Sequence, residues 1–395
     1  MSEKSYEKQV KVPAHSIPEA HTGLPDGALA SEVQNCGSER LVGVYCCGSG
    51  CQNGNLGVPK DDSMNPKHKH ILGRFLTGSL RLAEFAITNV CIAKCTFCAI
   101  WKQKPKVFVA KENALLAIDK LADLGVAHIT LTGGEPLMHP NIIAFVSKCT
   151  SRNIYNTVLD AAPSLITDDR LDLLDEAGND MISISFDSED PKVLEESRQI
   201  PHIMRDVEDA VKRIKRTRIK SMASILVWNN NHDQMEKVFA KATDMGFDLI
   251  SISYPTFSDS VVYPLGGEGI SLSRDLVIKS LEGVIELKKQ KRYPIVNSRA
   301  SMENIIRYLK DPSTVRYECL GGSRVMFVDW FCEVRPCMQL PQVLGNILTM
   351  TKDDFETVPC NKCNMSWYRD FSTFFYGVKS FPIYWEAITC SKGFY

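Results

Sequence analysis

From about residue 82 onward, short apolar runs alternate with longer stretches whose apolar residues recur at helical spacing. The runs 84–89 (EFAITN), 127–132 (AHITLT), 154–159 (IYNTVL), 181–186 (MISISF), 221–227 (SMASILV) and 248–253 (DLISIS) read as buried strands. Between them, 111–124, 204–216 and 233–245 read as helices, with Gly125 and Gly246 where C-terminal caps belong. Strand–helix units repeated in this way predict an α/β fold, a parallel sheet covered by helices. The pattern does not say whether that sheet closes. A further helical stretch covers 273–291, and 316–347 reads as a β-hairpin region with Val325–Phe331 as one strand. Residues 1–80, rich in Gly, Ser, Asn, Pro and Lys and weakly periodic, read as a mostly irregular extension.

A chain of 395 residues has room for one large domain and a smaller one. Its 44% hydrophobic and 24% charged residues are ordinary for a soluble protein. No run approaches the ~18 apolar residues of a membrane helix, and the first twenty residues lack a signal-peptide core. A cytoplasmic location is the expectation. The net charge of −1 gives no reason to expect nucleic acid. The basic stretch Lys212, Arg213, Lys215, Arg216, Arg218 and Lys220 interleaves with Val211, Ile214 and Ile219, as a solvated helix face does.

Cysteine changes the picture. Fourteen are present, and a chain this large needs no disulfide staples, so clustered cysteines read as metal ligands. Cys46, Cys47 and Cys51 lie near the N-terminus, Cys91, Cys95 and Cys98 follow, and Cys319, Cys332, Cys337, Cys360 and Cys363 come late. Cys36, Cys149 and Cys390 stand alone.

Cys91-Ile-Ala-Lys-Cys95-Thr-Phe-Cys98 directly follows the first strand. Three thiolates this close suit one face of an iron–sulfur cubane, leaving the fourth iron open to a small chelating molecule. Zinc is the alternative, but it takes a fourth Cys or His, which the next twenty residues do not supply. At the end of the second strand stands Thr132-Gly133-Gly134-Glu135-Pro136. Two glycines let the backbone turn sharply and approach a ligand, and Glu135 offers acceptors for an ammonium. Neighbouring strands of a parallel sheet build one site at their carboxyl ends, so the turn and the cysteine loop are expected to meet.

With these two motifs the sequence resembles the radical S-adenosylmethionine (SAM) superfamily, whose signature is C-x3-C-x-φ-C. Phe97 falls at the aromatic position, which in the family packs beside the adenine. The resemblance implies a partial (β/α)6 barrel over 81–295 and a [4Fe–4S] cluster on Cys91, Cys95 and Cys98. SAM chelates the open iron, and Gly133, Gly134, Glu135 and Pro136 hold its amino group. Ser185, Asp187, Arg198 and Asn231 match weaker family positions, with an N-cap or salt-bridge role as the open alternative. The third strand ends in Leu159-Asp160-Ala161-Ala162-Pro163, where the family has a T-N-G-like turn. The implied chemistry is reductive: a low-potential electron, down to about −700 mV for biological clusters, opens the C5′–S bond to methionine and a 5′-deoxyadenosyl radical.

The late cysteines, with Leu344-Gly345-Asn346-Ile347 between Cys337 and Cys360, resemble the SPASM/twitch extension that holds auxiliary Fe–S clusters. Residues 296–395 are therefore expected to form a small cysteine-rich, twitch-like β-hairpin domain, with one auxiliary cluster on Cys319, Cys337, Cys360 and Cys363. Cys332, at the family's glycine position, is a substitute ligand, and a structural zinc is the competing reading. Cys46-Cys47-Gly-Ser-Gly-Cys51 reads as a redox-labile segment. The implied function is modification of a small metabolite, lipid or short peptide, fed electrons by a flavodoxin or ferredoxin. A ribosomal-peptide maturase and an adenosylhopane-synthase-like lipid enzyme compete within it. RNA modification and a non-catalytic Fe–S protein are the readings outside it.

Overall fold

In the computed structural model, residues 65–255, 272–358, 360 and 365–376 are described below. Strands β1 (Arg81–Ala86), β2 (Val126–Thr132), β3 (Tyr155–Asp160), β4 (Met181–Ser185), β5 (Lys220–Leu226) and β6 (Leu249–Ser253) pair in sequence order, every neighbour parallel. The six expected runs are these six strands, shifted by at most a few residues. Every residue of β2 and β4 is buried, the signature of a sheet covered on both faces.

Helices α1 (Pro66–Leu76), α2 (Lys111–Asp123), α3 (Ile142–Ser151), α4 (Asp168–Glu176), α5 (Pro191–Arg198), α6 (Ile203–Ile214), α7 (Met235–Met245), α8 (Arg274–Lys289), α9 (Arg299–Lys310) and α10 (Ser366–Thr373) complete the described helical set. The connecting helices α2 to α8 pack outside the sheet. Val109, Ile118, Phe145, Val211 and Phe239 on or beside them share one apolar layer with Phe85, Ile129 and Ile184 of the strands. The basic stretch at the end of α6 lies on the outside as expected, its charges meeting Asp168, Asp175, Asp209 and Asp248.

The segment after α9 does not stand apart from this sheet. β7 (Val325–Val328) pairs parallel to β1 on its free side, and β8 (Glu333–Arg335) and β9 (Gly345–Asn346) continue antiparallel. The expected hairpin is therefore an extension of the main sheet. α10 packs against β7, β6 and α9, so this short helix touches both flanks of the parallel row and fills the gap between them. Its Tyr368 and Phe371 join Leu82, Tyr155, Met181, Leu249 and Phe327 in a second apolar cluster on the inner face.

α1 lies inside the stretch expected to be mostly irregular. Asn65 caps it, its side chain accepting from the Lys67 amide, and Pro66 takes the first helical position. Its apolar period is weak because one of the two residues it buries, beside Ile71, is a lysine. Lys67, 6% exposed, ends on Asp180 at 2.6 Å, the Gly178 carbonyl and the Thr150 hydroxyl. A buried ammonium with three oxygen partners takes the place of the apolar contacts that hydrophobic periodicity usually reveals.

Candidate active site

The cysteine loop begins where β1 ends and is closed at its base by Thr88 and Asn89. The Asn89 side chain accepts from the Val107 amide at 2.7 Å and donates to the Pro105 carbonyl at 2.8 Å. The glycine turn after β2 is fastened to the same base. The Gly134 amide donates to the Thr88 carbonyl and the Glu135 amide to the Val90 carbonyl, each at 2.8 Å. A Cβ on Gly133 (φ +136) would stand 2.1 Å from the Thr88 oxygen, and one on Gly134 would stand 2.2 Å from the Val90 oxygen. The glycines are thus required for the two motifs to touch at all.

Around this junction lies a cavity of about 320 Å³, at the carboxyl ends of the parallel strands. Cys91, Cys95, Cys98, Phe97, Gly133, Gly134, Ser185 and Arg198 all line it, as expected of one shared site. Arg198 sits at its side wall. Its Nε donates to Asp187 at 2.8 Å, a second nitrogen also reaches Asp187, and Nη1 stands 3.8 Å from Cys95 Sγ. Its guanidinium carbon lies 5.0 Å from the centre of the Phe97 ring. Asp187, fully buried, also accepts from the Leu226 amide. Asn231 ties the same network, donating to the Asp187 and Leu226 carbonyls at 2.7 and 2.8 Å. Asp187 and Asn231 therefore hold the wall and do not line it, and Asn231 stands before α7 without capping it.

Glu135 and Pro136 are buried beside the cavity and are not part of its lining. The Glu135 carboxylate accepts from the Leu137 amide at 2.9 Å and the Ala161 amide at 2.8 Å. Both oxygens are thus occupied in joining the β2 turn to the end of β3. Burial pushes the pKa of Glu135 and of the touching Asp160 upward, so the pair favours retaining a proton. The backbone of the glycine turn, Gly133 and Gly134, reaches the cavity directly.

Burial pushes the Cys91 thiol up to about 12, with Glu135, Cys95 and Cys98 adding to the effect, and the Cys98 thiol up to about 11, with Cys95 adding to it. Cluster binding removes those protons, since thiolate is the ligand form. Among the described residues no three His, Cys, Asp or Glu stand close enough to share one metal ion. A cubane is far wider than an ion, so its thiolates grip separate corners and need not converge on a point. Three thiols on one loop, facing one cavity beside a backbone turn, fit that group.

The late cysteines form a second set. The Cys337 thiol feels Cys319 and Cys360, and the Cys319 thiol feels Cys360, so these three stand together. Burial raises Cys337 to about 11. Cys363 lies outside the described residues, as do Cys36, Cys46, Cys47, Cys51 and Cys390. Cys332 is elsewhere, packed with Val328, Val334 and Ile347 in the outer apolar layer. Its φ of 62° is the left-handed conformation that explains a glycine at this position in the resembling motif.

Several lining residues escape motif reasoning: Glu84, Trp101, Ser224, Leu226, Ser253 and Met338. Ser224 is the register partner of Ser185, and Ser253 that of Leu226. Only register reveals them. Glu84 did carry a signal, an acid in the middle of the apolar strand RLAEFA.

The radical SAM superfamily model matches residues 85–266. The AdoMet-dependent heme synthase of Methanosarcina barkeri (strain Fusaro / DSM 804) is 24% identical over 290 residues, 69% of this chain and 80% of the synthase. The PqqA peptide cyclase of Gluconobacter oxydans (strain 621H) is 24% identical over 180 residues, 45% of this chain and 49% of the cyclase, so the chain spans about half that relative. In structure, Streptococcus suis SuiB bound to precursor peptide SuiA is similar with a TM-score of 0.53 at 14% identity, over 83% of this chain and 75% of SuiB, a likeness of fold. Among the described residues no helix is long and apolar enough to cross a membrane. The cysteine loop, the glycine turn and the parallel row that joins them agree with the matched domain: the chain belongs to the radical SAM superfamily and is one of its enzymes.

Proposed function

We propose that this enzyme uses SAM to modify a peptide, with Cys91, Cys95 and Cys98 as the ligands of its [4Fe–4S] cluster. The observation that carries the reading is the convergence of the three thiols, the Gly133–Gly134 backbone, Phe97, Arg198 and Ser185 on one cavity. When bound there, a reduced cluster supplies one-electron opening of the C5′–S bond of SAM. The chain's own residues do the rest. The glycine-turn backbone, which alone can come this close, accepts from the SAM amino group. Arg198, held by Asp187, presents positive charge beside the loop and suits the SAM carboxylate. Phe97 offers a flat apolar face to the adenine, and the wall of Leu159, Leu226 and Met338 excludes water from the reacting carbon.

Peptide as substrate draws support from the PqqA peptide cyclase and from SuiB, whose structure holds a precursor peptide. The late cysteines fit a twitch-like auxiliary site on Cys319, Cys337 and Cys360, with Cys363 as its fourth ligand; a flavodoxin or ferredoxin is the matching electron source. The test is anaerobic reconstitution with iron and sulfide, then reduction with dithionite in the presence of SAM. We expect 5′-deoxyadenosine and methionine from the wild type. None from the wild type, at full iron loading, would end this reading.

A further inference from the structure

Glu84 is an acid in the lining that the cofactor side of the cavity leaves unused. It sits mid-strand in β1, 6% exposed, with its register partners Thr130 in β2 and Phe327 in β7. From below, Tyr368 of α10 donates its hydroxyl to Glu84 Oε2 at 2.8 Å. Among the described residues Oε1 accepts no hydrogen bond, although Glu84 lines the cavity. The cation of the lining, Arg198, is engaged by Asp187 and by the cysteine loop. The cavity thus holds an acid with a vacant oxygen and no cation of its own to meet it.

Burial pushes Glu84 up to about 7 against the help of the Tyr368 hydroxyl, so its negative charge is costly in this cavity, and a cationic guest would offset that cost. The neighbouring walls suit the rest of such a guest. Leu159, Leu226 and Met338 offer apolar surface to a methylene stem, as lysine and arginine side chains use elsewhere. A carboxylate-bearing guest would meet repulsion at the same place.

We propose that Glu84 recognises a basic side chain of the peptide substrate, an ammonium or guanidinium donating to its free Oε1, with Tyr368 fixing the carboxylate from the opposite side. This rests on the peptide reading above and narrows it, since it names the residue type that enters the cavity. It also gives α10 a task beyond filling the gap in the barrel, because the helix supplies the hydroxyl that aims the acid.

The test uses the anaerobically reconstituted full chain with SAM bound and three probes: acetyl-Ala-Lys-Ala-amide, its norleucine analogue and its glutamate analogue. Equilibrium binding is measured for each, with 5′-deoxyadenosine formation by the wild type followed separately. A charge-assisted hydrogen bond in a desolvated site predicts the lysyl probe about tenfold tighter than the norleucyl one, and the glutamyl probe weakest. Glu84→Gln should erase the lysine preference, while Glu84→Asp and Tyr368→Phe, which keep the carboxylate, should retain part of it. Equal binding of lysyl and norleucyl probes to the wild type overturns the proposal, as does a preference that survives in Glu84→Gln or favours glutamate. Should Glu84→Gln fail to fold, the wild-type comparison and Glu84→Asp decide the matter. A wild type that makes no 5′-deoxyadenosine sinks the enzymatic reading on its own, and the probe series still decides whether Glu84 selects a cation.

Discussion

The two cysteine regions of this protein are built in opposite ways. Cys91, Cys95 and Cys98 sit on one loop of eight residues, open to a cavity and clamped at its base by Thr88 and Asn89. Cys319, Cys337 and Cys360 come from separate turns, and they meet only because β7 and β8 extend the sheet and α10 returns across it. The first arrangement is encoded in local spacing and needs tertiary structure only to place the glycine turn beside it. The second exists through tertiary structure alone, so no local segment could form it. A site built from one loop can tolerate change elsewhere in the chain, whereas a site built from three distant turns depends on every element between them.

The strongest test of this contrast removes the local site. Replacing Cys91, Cys95 and Cys98 together by alanine should reduce 5′-deoxyadenosine formation to background while about four irons remain on the late cysteines. Iron, sulfide and Mössbauer measurements check it, and negligible iron would make the second region a structural cap or a zinc site. Adding Cys319→Ala, Cys337→Ala and Cys360→Ala should remove the remaining iron.

Next in size is the wall that serves the first region. Asp187→Ala strips the buried Arg198 of its partner, and breaking such a pair costs about 3–5 kcal/mol. Thermal melting of the reconstituted protein should fall accordingly, and SAM affinity should fall with it because Arg198 loses its aim. Asp187→Asn has one acceptor oxygen, enough for the Leu226 amide or the guanidinium but not both, and should recover only part of that loss.

Gly134→Ala tests the junction of the two motifs. Its Cβ would meet the Val90 oxygen, a backbone atom that cannot rotate away. We expect a loss of about 1–3 kcal/mol from overpacking and a larger fractional loss of SAM cleavage, because the loop and turn are pushed apart. Melting and activity measured on the same preparation separate the two effects. A variant of unchanged stability and activity would show that the junction is softer than its hydrogen bonds imply.

The smallest effect concerns α10, which holds the second region against the first. Burial pushes Asp370 up to about 7, against the opposing help of Ser301 and of Asn297, whose amide donates to it at 2.5 Å. The folded state therefore keeps a proton that the unfolded chain has already released above the usual carboxylate range. Stability from this group is fully present below about pH 4 and declines as pH rises toward about 7. The two hydrogen bonds already oppose burial in setting that value, so the measurement reads the sign of the slope, downward as pH rises. Melting temperatures of wild type and Asp370→Asn between pH 5 and 8 check it; the variant should be flatter.

Six strands, the helices read at 111–124, 204–216 and 233–245, and the cysteine loop with its glycine turn were legible in the chain. Each depends on contacts close in sequence: alternating apolar runs, glycines at helix ends, and ligands one loop apart. Helix α1 was not, because Lys67 replaces the apolar residue that would have marked its inner face. The surroundings of Glu135 were not legible for a related reason. Its motif says that an acid stands at the turn, but only the neighbouring end of β3 shows that the Ala161 amide engages its carboxylate.

The sequence by itself determined the chemistry: three thiols in one loop and a backbone turn able to approach them, which together admit one class of cofactor. Tertiary structure decided where that chemistry can act. Parallel register brought Ser185 beside Ser224, the return of α10 set Tyr368 against Glu84, and the extension of the sheet gathered Cys319, Cys337 and Cys360. Those contacts join residues tens to hundreds of positions apart. Their energy comes from burying faces that no short segment can bury alone, so no short segment announces them.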